Sequence, residues 1–367
     1  MTAVRILIAG AGIAGLALAS ALERRGVVAE IVERTTVTGR GGGTGMYLQA
    51  NAVRALGELG IGSTVTARAN PIKRQRILDH RGRRLADIDV ARLWGGVGEC
   101  VALHRADLHA SLRAAAARVP IREGTAVTGL YLGDGAPRVT FGDGTSDGYD
   151  LVVGADGVHS TVRRYALGGS SIRYVGQVCW RFVAHGFPDI SDWTVRLGRG
   201  RSFLTVALGQ AGVYCYADVN VREPGGPAGD WRELFADFAD PVPGLLDQAA
   251  GAYRAPIEEV LTPAWTARRV VLVGDAAHAA SPNMAQGAAL AIEDALVLAD
   301  ELTTGQPVEA ALAAYERRRT ARVSWVRHQT RRRDRTRGMP AAVRNPVLRA
   351  AAGRMFQSHY RPLRERP

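Results

Sequence analysis

Short apolar runs that end in glycine alternate along this chain with stretches whose apolar residues recur at helical spacing. VRILIAG (Val4–Gly10) is a nearly continuous apolar run closed by glycine, the pattern of a strand buried on both faces. LALASALERRG then has helical spacing up to Gly26, and VVAEIVER supplies a second strand ending at Glu33, completing a strand–helix–strand unit. The glycine-rich TGRGGGTGMYLQA reads as a loop entering a helix, NAVRALGELG. QRILDHRGRRLADIDV, within 71–98, predicts a hairpin turning at Arg81-Gly82, and HRADLHASLRAAAARV (His104–Val119) predicts a helix with Arg105 near its start. Alternating segments over 121–150 are divided by the turn dipeptides Asp134-Gly135 and Asp143-Gly144, after which YDLVVGADG returns as a buried strand.

Residues 172–220 change character. VCWRFVAHGF, WTVRLGRG, RSFLTVALG and VYCYADV predict successive strands of a mainly antiparallel sheet. PGGPAG (224–229) breaks the pattern, 231–250 reads as helical, and RRVVLVGD returns as a strand. From there the pattern is helical to the end, punctuated by Gly305, Pro307, Pro340 and Pro346. The expected class is α/β: a Rossmann-like cofactor-binding domain, an inserted mainly antiparallel β-sheet substrate domain, and C-terminal helices. The expected boundaries are 1–70 with 99–168 and 264–305 for the discontinuous cofactor domain, 71–98 with 169–263 for the sheet domain, and 306–367 for the C-terminal helical segment.

Charge changes this picture only locally. The chain carries a formal net charge of +12, yet from Glu316 onward sixteen arginines face only Glu316, Asp334 and Glu365, so the rest is close to neutral. That tail has no aromatic interleaving and no nucleic-acid-binding module, and it reads as a solvated helical surface, with no nucleic-acid partner expected. Cys100, Cys179 and Cys215 are odd in number and lack metal-ligand spacing, so neither a disulfide framework nor a metal site is expected, and a reducing cytoplasm is. No apolar run is long enough to span a bilayer, so no membrane insertion is expected. The apolar N-terminus resembles a signal peptide in hydropathy, but its glycine spacing and its continuation into a helix argue otherwise. A monomer or homodimer is expected.

Three motifs carry chemistry. In the first, Gly10, Gly12 and Gly15 form GxGxxG between a strand and a helix, and Glu33 lies 18 positions after Gly15 at a strand end. The glycines allow a tight turn and let helix amides meet a pyrophosphate, while the carboxylate can accept from a ribose diol. This motif alone does not separate NAD from FAD. The second is GADGVHSTVRR (Gly154–Arg164), in which a plain turn at Asp156-Gly157 and a helix cap at Ser160 compete with a ligand role. The third is VLVGDAAHAASPNMAQGAALAIED, in which Asp275 stands at a strand end, Pro282 ends the loop, and Ala285, Gly287, Ala288 and Ala289 begin a helix. Such a helix start can bring bare amides, and a partial positive charge, against a flat ring that becomes anionic on reduction. An alanine-rich core helix with an aspartate cap accounts equally well for this third stretch taken alone.

Together, and in this order, the three motifs resemble the single-component flavoprotein aromatic hydroxylases, the FAD-dependent monooxygenases related to p-hydroxybenzoate and salicylate hydroxylases. TGMYLQANAVRALGELG and HRADLHASL are also similar to family stretches, and the resemblance covers roughly the first 300 residues. It implies that Gly10, Gly12, Ala14 and Gly15 hold the FAD pyrophosphate, that Glu33 binds the adenosine ribose, and that Arg34 lies beside the adenine. By the same resemblance Arg105 reaches the phosphate or ribityl region, Val127 offers a backbone contact to adenine, and Asp156 serves FAD and the nicotinamide donor together. Asp275 would bind the ribityl chain, with Pro282, Ala285, Gln286, Gly287, Ala288 and Ala289 around the flavin ring. Many relatives carry glycine where Ala285 stands and asparagine where Ala289 stands.

The implied reaction uses NADH or NADPH to reduce FAD and O2 to form a flavin C4a-hydroperoxide, which hydroxylates an aromatic or polycyclic small molecule. Substrate-binding candidates are Arg181, Tyr214, Tyr216 and Asn283, and catalytic candidates are Arg181, His185, Tyr214 and Asn283; for each, an ordinary sheet or loop residue is the competing reading. Tyr214 and Tyr216 fall on one strand face by period-two alternation, and His185 could act as a base near neutral pH. Arg40 could meet the nicotinamide donor, or belong to a surface loop. The competing functions are a flavin oxidase or dehydrogenase on the same fold and a non-catalytic flavin-binding sensor. A halogenase is disfavoured because no WxWxI motif occurs.

Overall fold

The computed structural model describes residues 4–36, 44–133, 135–168 and 171–367, so Arg40 and Asp134 lie outside the described residues. Its first sheet has six strands in the order Thr266–Ala267, Val270–Leu272, Leu151–Gly154, Ile6–Ala9, Ala29–Glu33 and Ile121–Glu123. All pairings in it are parallel except that of Thr266–Ala267 with Val270–Leu272. Ile6–Ala9 is buried along its whole length, as a strand covered on both faces must be. The register sets Ala9 opposite both Val32 and Gly154, and Gly154 opposite Leu272. The three motif-bearing strands therefore end level, on the same edge. Ile6–Ala9 has the strand after it on one side and the much later Leu151–Gly154 on the other. That is the switch point where open α/β sheets leave a crevice.

The second large sheet has seven strands in the order Tyr253–Leu261, Ser171–Ala184, Val213–Asn220, Arg201–Ala207, Trp193–Leu197, Arg74–Asp79 and Arg84–Asp89. Its pairs are antiparallel except where Trp193–Leu197 meets the hairpin strand Arg74–Asp79. Period-two alternation divides its residues between two faces. Trp180, Phe182, Phe203 and Cys215 pack on one side with Phe235, Phe238 and Leu245, and Trp180 stacks on Trp231 at 4.7 Å between ring centroids. Cys179, Val206, Tyr214 and Tyr216 turn the other way and join the core that includes the parallel sheet. The second face is the one turned toward the motifs.

Four local readings differ from the structure. TGMYLQA is not all loop, since Gly45–Leu48 is a strand paired with Val101–His104. Residues 231–250 hold only two short helical pieces, Trp231–Phe235 and Val242–Leu246. Tyr253–Leu261 is a strand that sequence reading passed over because Pro256 and three charges interrupt it; it lies at the sheet edge, where proline is tolerated. Asp275 does not end the strand, which stops at Leu272; it opens a short helix, Asp275–His278.

The chain closes with Gly287–Leu302, Val308–Thr336 and Ala341–Tyr360. Pro307 and Pro340 stand at helix starts, where the missing amide costs nothing, whereas Pro346 is carried inside the last helix. Among the described residues no helix is long and apolar enough to cross a membrane.

Candidate active site

Close backbone approach brings the three motifs together. Gly10 has φ +107°, and a Cβ on it would lie 2.5 Å from the Ala155 carbonyl oxygen, so the first turn presses directly on the second motif. A Cβ on Gly274 would meet the Ala14 methyl at 2.9 Å, which joins the third motif to the first helix. A Cβ on Gly15 would lie 1.9 Å from the Gly10 carbonyl oxygen. Gly12 differs, for nothing lies within 4 Å of where its Cβ would be. Gly12 is the N-cap of the helix Ile13–Glu23 and offers no side-chain cap, leaving the first-turn amides to an outside acceptor. The Glu33 carboxylate accepts from the amides of Ala11 (2.8 Å) and Thr35 (3.0 Å), placing the acid beside that opening. His109 bonds the Ala11 carbonyl at 2.9 Å from a neighbouring helix. An open glycine, uncapped amides and an adjacent carboxylate fit a dinucleotide.

In the second motif the Asp156 carboxylate accepts from the amides of Thr161 (2.7 Å) and Val162 (3.2 Å) and from the Ser160 hydroxyl. Ser160 in turn caps the helix Thr161–Leu167 through the Arg163 amide. Burial raises the Asp156 carboxyl above its ordinary value, against the pull of these hydrogen bonds. The structure thus gives Asp156 a capping task. Sequence reading missed Arg163, which is buried and donates to the carbonyls of Ala276 (2.7 Å) and Val158 (2.6 Å), tying the second motif to the third.

The third motif presents its polar edge outward. Asp275 and Gly287 are both exposed, and the Asp275 carboxylate lies 4.0 Å from the position of a Gly287 Cβ. The helix Gly287–Leu302 begins there, again with no side-chain cap. Just before it, Ala285 sits in the left-handed region at φ 51°, ψ 38°. A methyl costs roughly 1 kcal/mol in that conformation. Ala285→Gly is therefore expected to raise the melting temperature by about 1–3 °C, given the entropy change per degree of a chain this size. A calorimetric scan showing no rise would contradict the strain.

Behind this edge lies a buried polar network. Gln286 donates to Gln49 (2.5 Å) and Asn51 (3.2 Å), Asn51 donates back to Gln286 (2.9 Å) and to Glu293 (3.0 Å), and Glu293 takes Arg319 (3.1 Å) and Arg322 (2.7 Å). Asp294 accepts from the Gly274 amide (2.9 Å) and Arg319 (2.7 Å) and bonds His278 (2.6 Å). Burial alone would raise the Asp294 carboxyl, but His278 and Arg319 outweigh it and hold it at about 2. Apart from Gln286, these residues escaped sequence reading. The acid pair inside an otherwise apolar helix was the available signal, since buried acids require partners.

The remaining candidates divide by place. Arg181, Tyr214 and Tyr216 are brought together: Arg181 is paired opposite Tyr216 across the strands, and its guanidinium sits 5.6 Å over the Tyr216 ring. The Arg181 Nε is buried without a hydrogen-bond partner among the described residues. Burial pushes the Tyr214 hydroxyl up to about 12, against the pull of Arg181, and Tyr216 well above its ordinary value, so both stay protonated at neutral pH. A Cβ on Gly45 would lie 2.4 Å from the Tyr214 Cβ, so this tyrosine abuts the strand Gly45–Leu48, and the Thr44 carbonyl just before that strand accepts from the Arg105 amide (2.9 Å). Arg34, Arg105 and Pro282 are exposed, Ala288 is half-buried, and Val127 and Ala289 are buried. His185 is exposed past its strand end, with its main chain clamped to Gln248 at 2.9 Å in both directions. Asn283 turns its amide to Asp334 (2.8 Å) on the helix Val308–Thr336, and Asp334 also accepts from Gln177 (2.7 Å) and Ser281 (3.2 Å).

A family model described as "FAD binding domain" matches residues 3–194 and 209–330. The chain is 35% identical to 2-heptyl-3-hydroxy-4(1H)-quinolone synthase of Pseudomonas aeruginosa over 336 residues, covering 89% of this chain and 87% of that protein. It is 34% identical to aurachin C monooxygenase/isomerase of Stigmatella aurantiaca over 342 residues, covering 88% and 87%. The crystal structure of Klebsiella pneumoniae HpxO complexed with FAD and uric acid superposes with a TM-score of 0.89 at 26% identity, covering 98% of this chain and 96% of that one. Level strand ends carrying three glycine-rich motifs, together with a family match over most of the chain and relatives alike over 88–89% of it, place this chain in the FAD-binding family, as an FAD-dependent monooxygenase.

Proposed function

We propose that the protein uses NADH or NADPH and O2 to insert one oxygen atom into an electron-rich aromatic or fused-ring small molecule. The convergence of the three motifs at one sheet edge, with Tyr214 and Tyr216 in the same core cluster as that sheet, is the observation that supports this reading. The chemistry that FAD supplies when bound is two-electron transfer from the nicotinamide donor and reaction with dioxygen. In this proposal Gly10, Gly12, Ala14 and Gly15 admit the pyrophosphate, and Glu33, with Arg34 and Val127 near it, serves the adenosine end. Arg105 and Asp275 serve the ribityl region, and Pro282 with residues 285–289 borders the ring. Asp156 holds the helix that supports the site. The division into a cofactor unit, an inserted sheet unit and a C-terminal helical segment belongs to the same proposal.

The chain's own contribution is orientation and dryness. Arg181, partly desolvated and stacked over Tyr216, attracts a phenolate or enolate oxygen, which raises electron density in the ring to be attacked. Tyr214 and Tyr216 act as neutral hydrogen-bond partners, and the apolar sheet face around them keeps water from the reacting atoms. His185, exposed past its strand end, and the Oδ1 of Asn283, which has no hydrogen-bond partner among the described residues while its amide nitrogen is held by Asp334, serve as secondary polar contacts.

The decisive experiment supplies the purified yellow protein with NADH or NADPH, labelled oxygen and a panel of phenols and 4-quinolones. A product heavier by one labelled oxygen atom is expected; cofactor consumption that yields only hydrogen peroxide across the panel would refute the assignment. Asp275→Ala is expected to raise the FAD dissociation constant by about tenfold or more, the usual loss for a hydrogen bond to a charged group. Fluorescence titration reads this directly, and an unchanged constant would remove Asp275 from the site.

A further inference from the structure

The helix Val308–Thr336 carries a cationic cleft whose lining includes none of the candidate cofactor or substrate residues. Ser324, Arg327, His328, Arg331, Arg332 and Arg335 recur at spacings of three and four, so they form one stripe, and they line a cleft of about 650 Å³. A second cavity of about 350 Å³ adjoins it, sharing Arg331 and Arg335 and adding Arg173 and Glu259. Like charges four residues apart destabilise a helix, and here Arg327, Arg331 and Arg335 are stacked in that way.

Two carboxylates line the adjoining cavity, Glu259 and Asp334, and both are already engaged, Asp334 by Gln177, Ser281 and Asn283. Glu259 is buried and is shared by Arg331 (2.5 Å) and Arg173 (2.8 Å). Among the described residues Arg327, Arg332 and Arg335 have no carboxylate within ion-pair distance. Arg327 is half-buried all the same, and burial together with Arg331 lowers its pKa. Glu259 lies near enough to act on Arg327 but is bonded to Arg331 and Arg173, so this partly desolvated guanidinium at the wall of the cleft has no direct anionic partner among the described residues.

We propose that this cleft binds a pyrophosphate group, with Arg327, Arg331, Arg332 and Arg335 as its ligands. Guanidinium forks match phosphate oxygens in pairs, and several converging forks select a multiply charged phosphate over a carboxylate. His328 is the one ring in this lining, against four guanidinium groups, so the phosphates are what is recognised. The group comes either from the nicotinamide donor or from a free polyphosphate.

The test is calorimetric titration of inorganic pyrophosphate into the FAD-loaded protein at low salt, so that the flavin site is already filled. Saturable one-to-one binding is expected, weakening steeply with added salt, by about tenfold in Arg327→Ala and by more in Arg332→Ala/Arg335→Ala. The exposed Arg332 and Arg335 keep the double variant folded, which retained flavin colour verifies, and the distant Arg349→Ala should bind as wild type. Competition by NADPH assigns the phosphate to the donor, whereas pyrophosphate binding without competition assigns it to a separate polyphosphate. Either result supports the cleft. No saturable binding, equal binding in the arginine variants, or tighter binding of duplex DNA that Arg349→Ala also weakens would overturn it. A chain that failed to take up FAD would refute the flavin reading alone, because the arginine substitutions, not the flavin, identify this site.

Discussion

Gly15→Ala is expected to lose flavin binding and most folded protein, while Gly12→Ala keeps the fold and loses the flavin alone. The two methyl groups enter different surroundings. At position 15 the new carbon would stand 1.9 Å from the Gly10 carbonyl oxygen, 3.1 Å from its carbon and 3.2 Å from Ile8. The first two are backbone atoms at the end of a fully buried strand, so relief requires that helix and strand separate. Forced overpacking of this kind costs on the order of 3 kcal/mol or more. At position 12 the methyl meets nothing within 4 Å, and φ −79° suits any residue. Its cost falls on whatever approaches the helix amides. Thermal melts should therefore drop steeply for Gly15→Ala and stay near wild type for Gly12→Ala, with FAD titration failing in both. Undiminished FAD affinity in Gly12→Ala would mean that the cofactor does not approach this turn.

How much of this was legible beforehand depends on how local the determining physics is. Gly10, Gly12 and Gly15 announce their role because a tight turn between strand and helix is decided within a few residues, and the strands on either side of it are continuous apolar runs. The hairpin at Gly82 was readable for the same reason: its φ of +80° is a local demand that glycine meets. Tyr253–Leu261 was not legible, since its alternation is blurred by Arg254, Pro256, Glu258 and Glu259, and its strand state is imposed by pairing with Ser171–Ala184. Likewise Gly45–Leu48 exists because Val101–His104 lies beside it. Asp275 was read as a strand end because the apolar run leads up to it, whereas a positive φ at Gly274 turns the chain first. Asn283 read as a substrate contact from its loop alone, and only the folded chain shows its amide engaged by Asp334, 51 residues away. The arginine tail was counted correctly as charge, yet which arginines are buried as structural partners, such as Arg319, depends on acids in another helix.

Asp294→Ala is expected to destabilise the protein by about 3–5 kcal/mol, the usual consequence of removing one partner from a buried ion pair. Asp294 is wholly buried, and its two oxygens serve the Gly274 amide, His278 and Arg319. Alanine would leave a buried guanidinium with only Glu293 and the Leu290 carbonyl for partners, and would free the turn that carries Asp275. FAD affinity should fall with stability, although no atom of Asp294 reaches the crevice, because the Gly274 amide anchors the turn from behind. A double-mutant cycle with Arg319→Ala separates the pair from its surroundings: the double variant should lose clearly less than the sum of the singles, since it no longer strands a charge. Strict additivity would show that the two residues act independently. The same network sets an acid limit. With the Asp294 carboxyl held at about 2, below its unfolded value, its contribution is full above the ordinary carboxylate range and is lost as pH falls toward 2. Wild type should thus lose stability between about pH 4 and pH 2, while Asp294→Ala, already without that contribution, shows a shallower decline. Parallel acid-denaturation curves for the two proteins would place the charge stabilisation elsewhere.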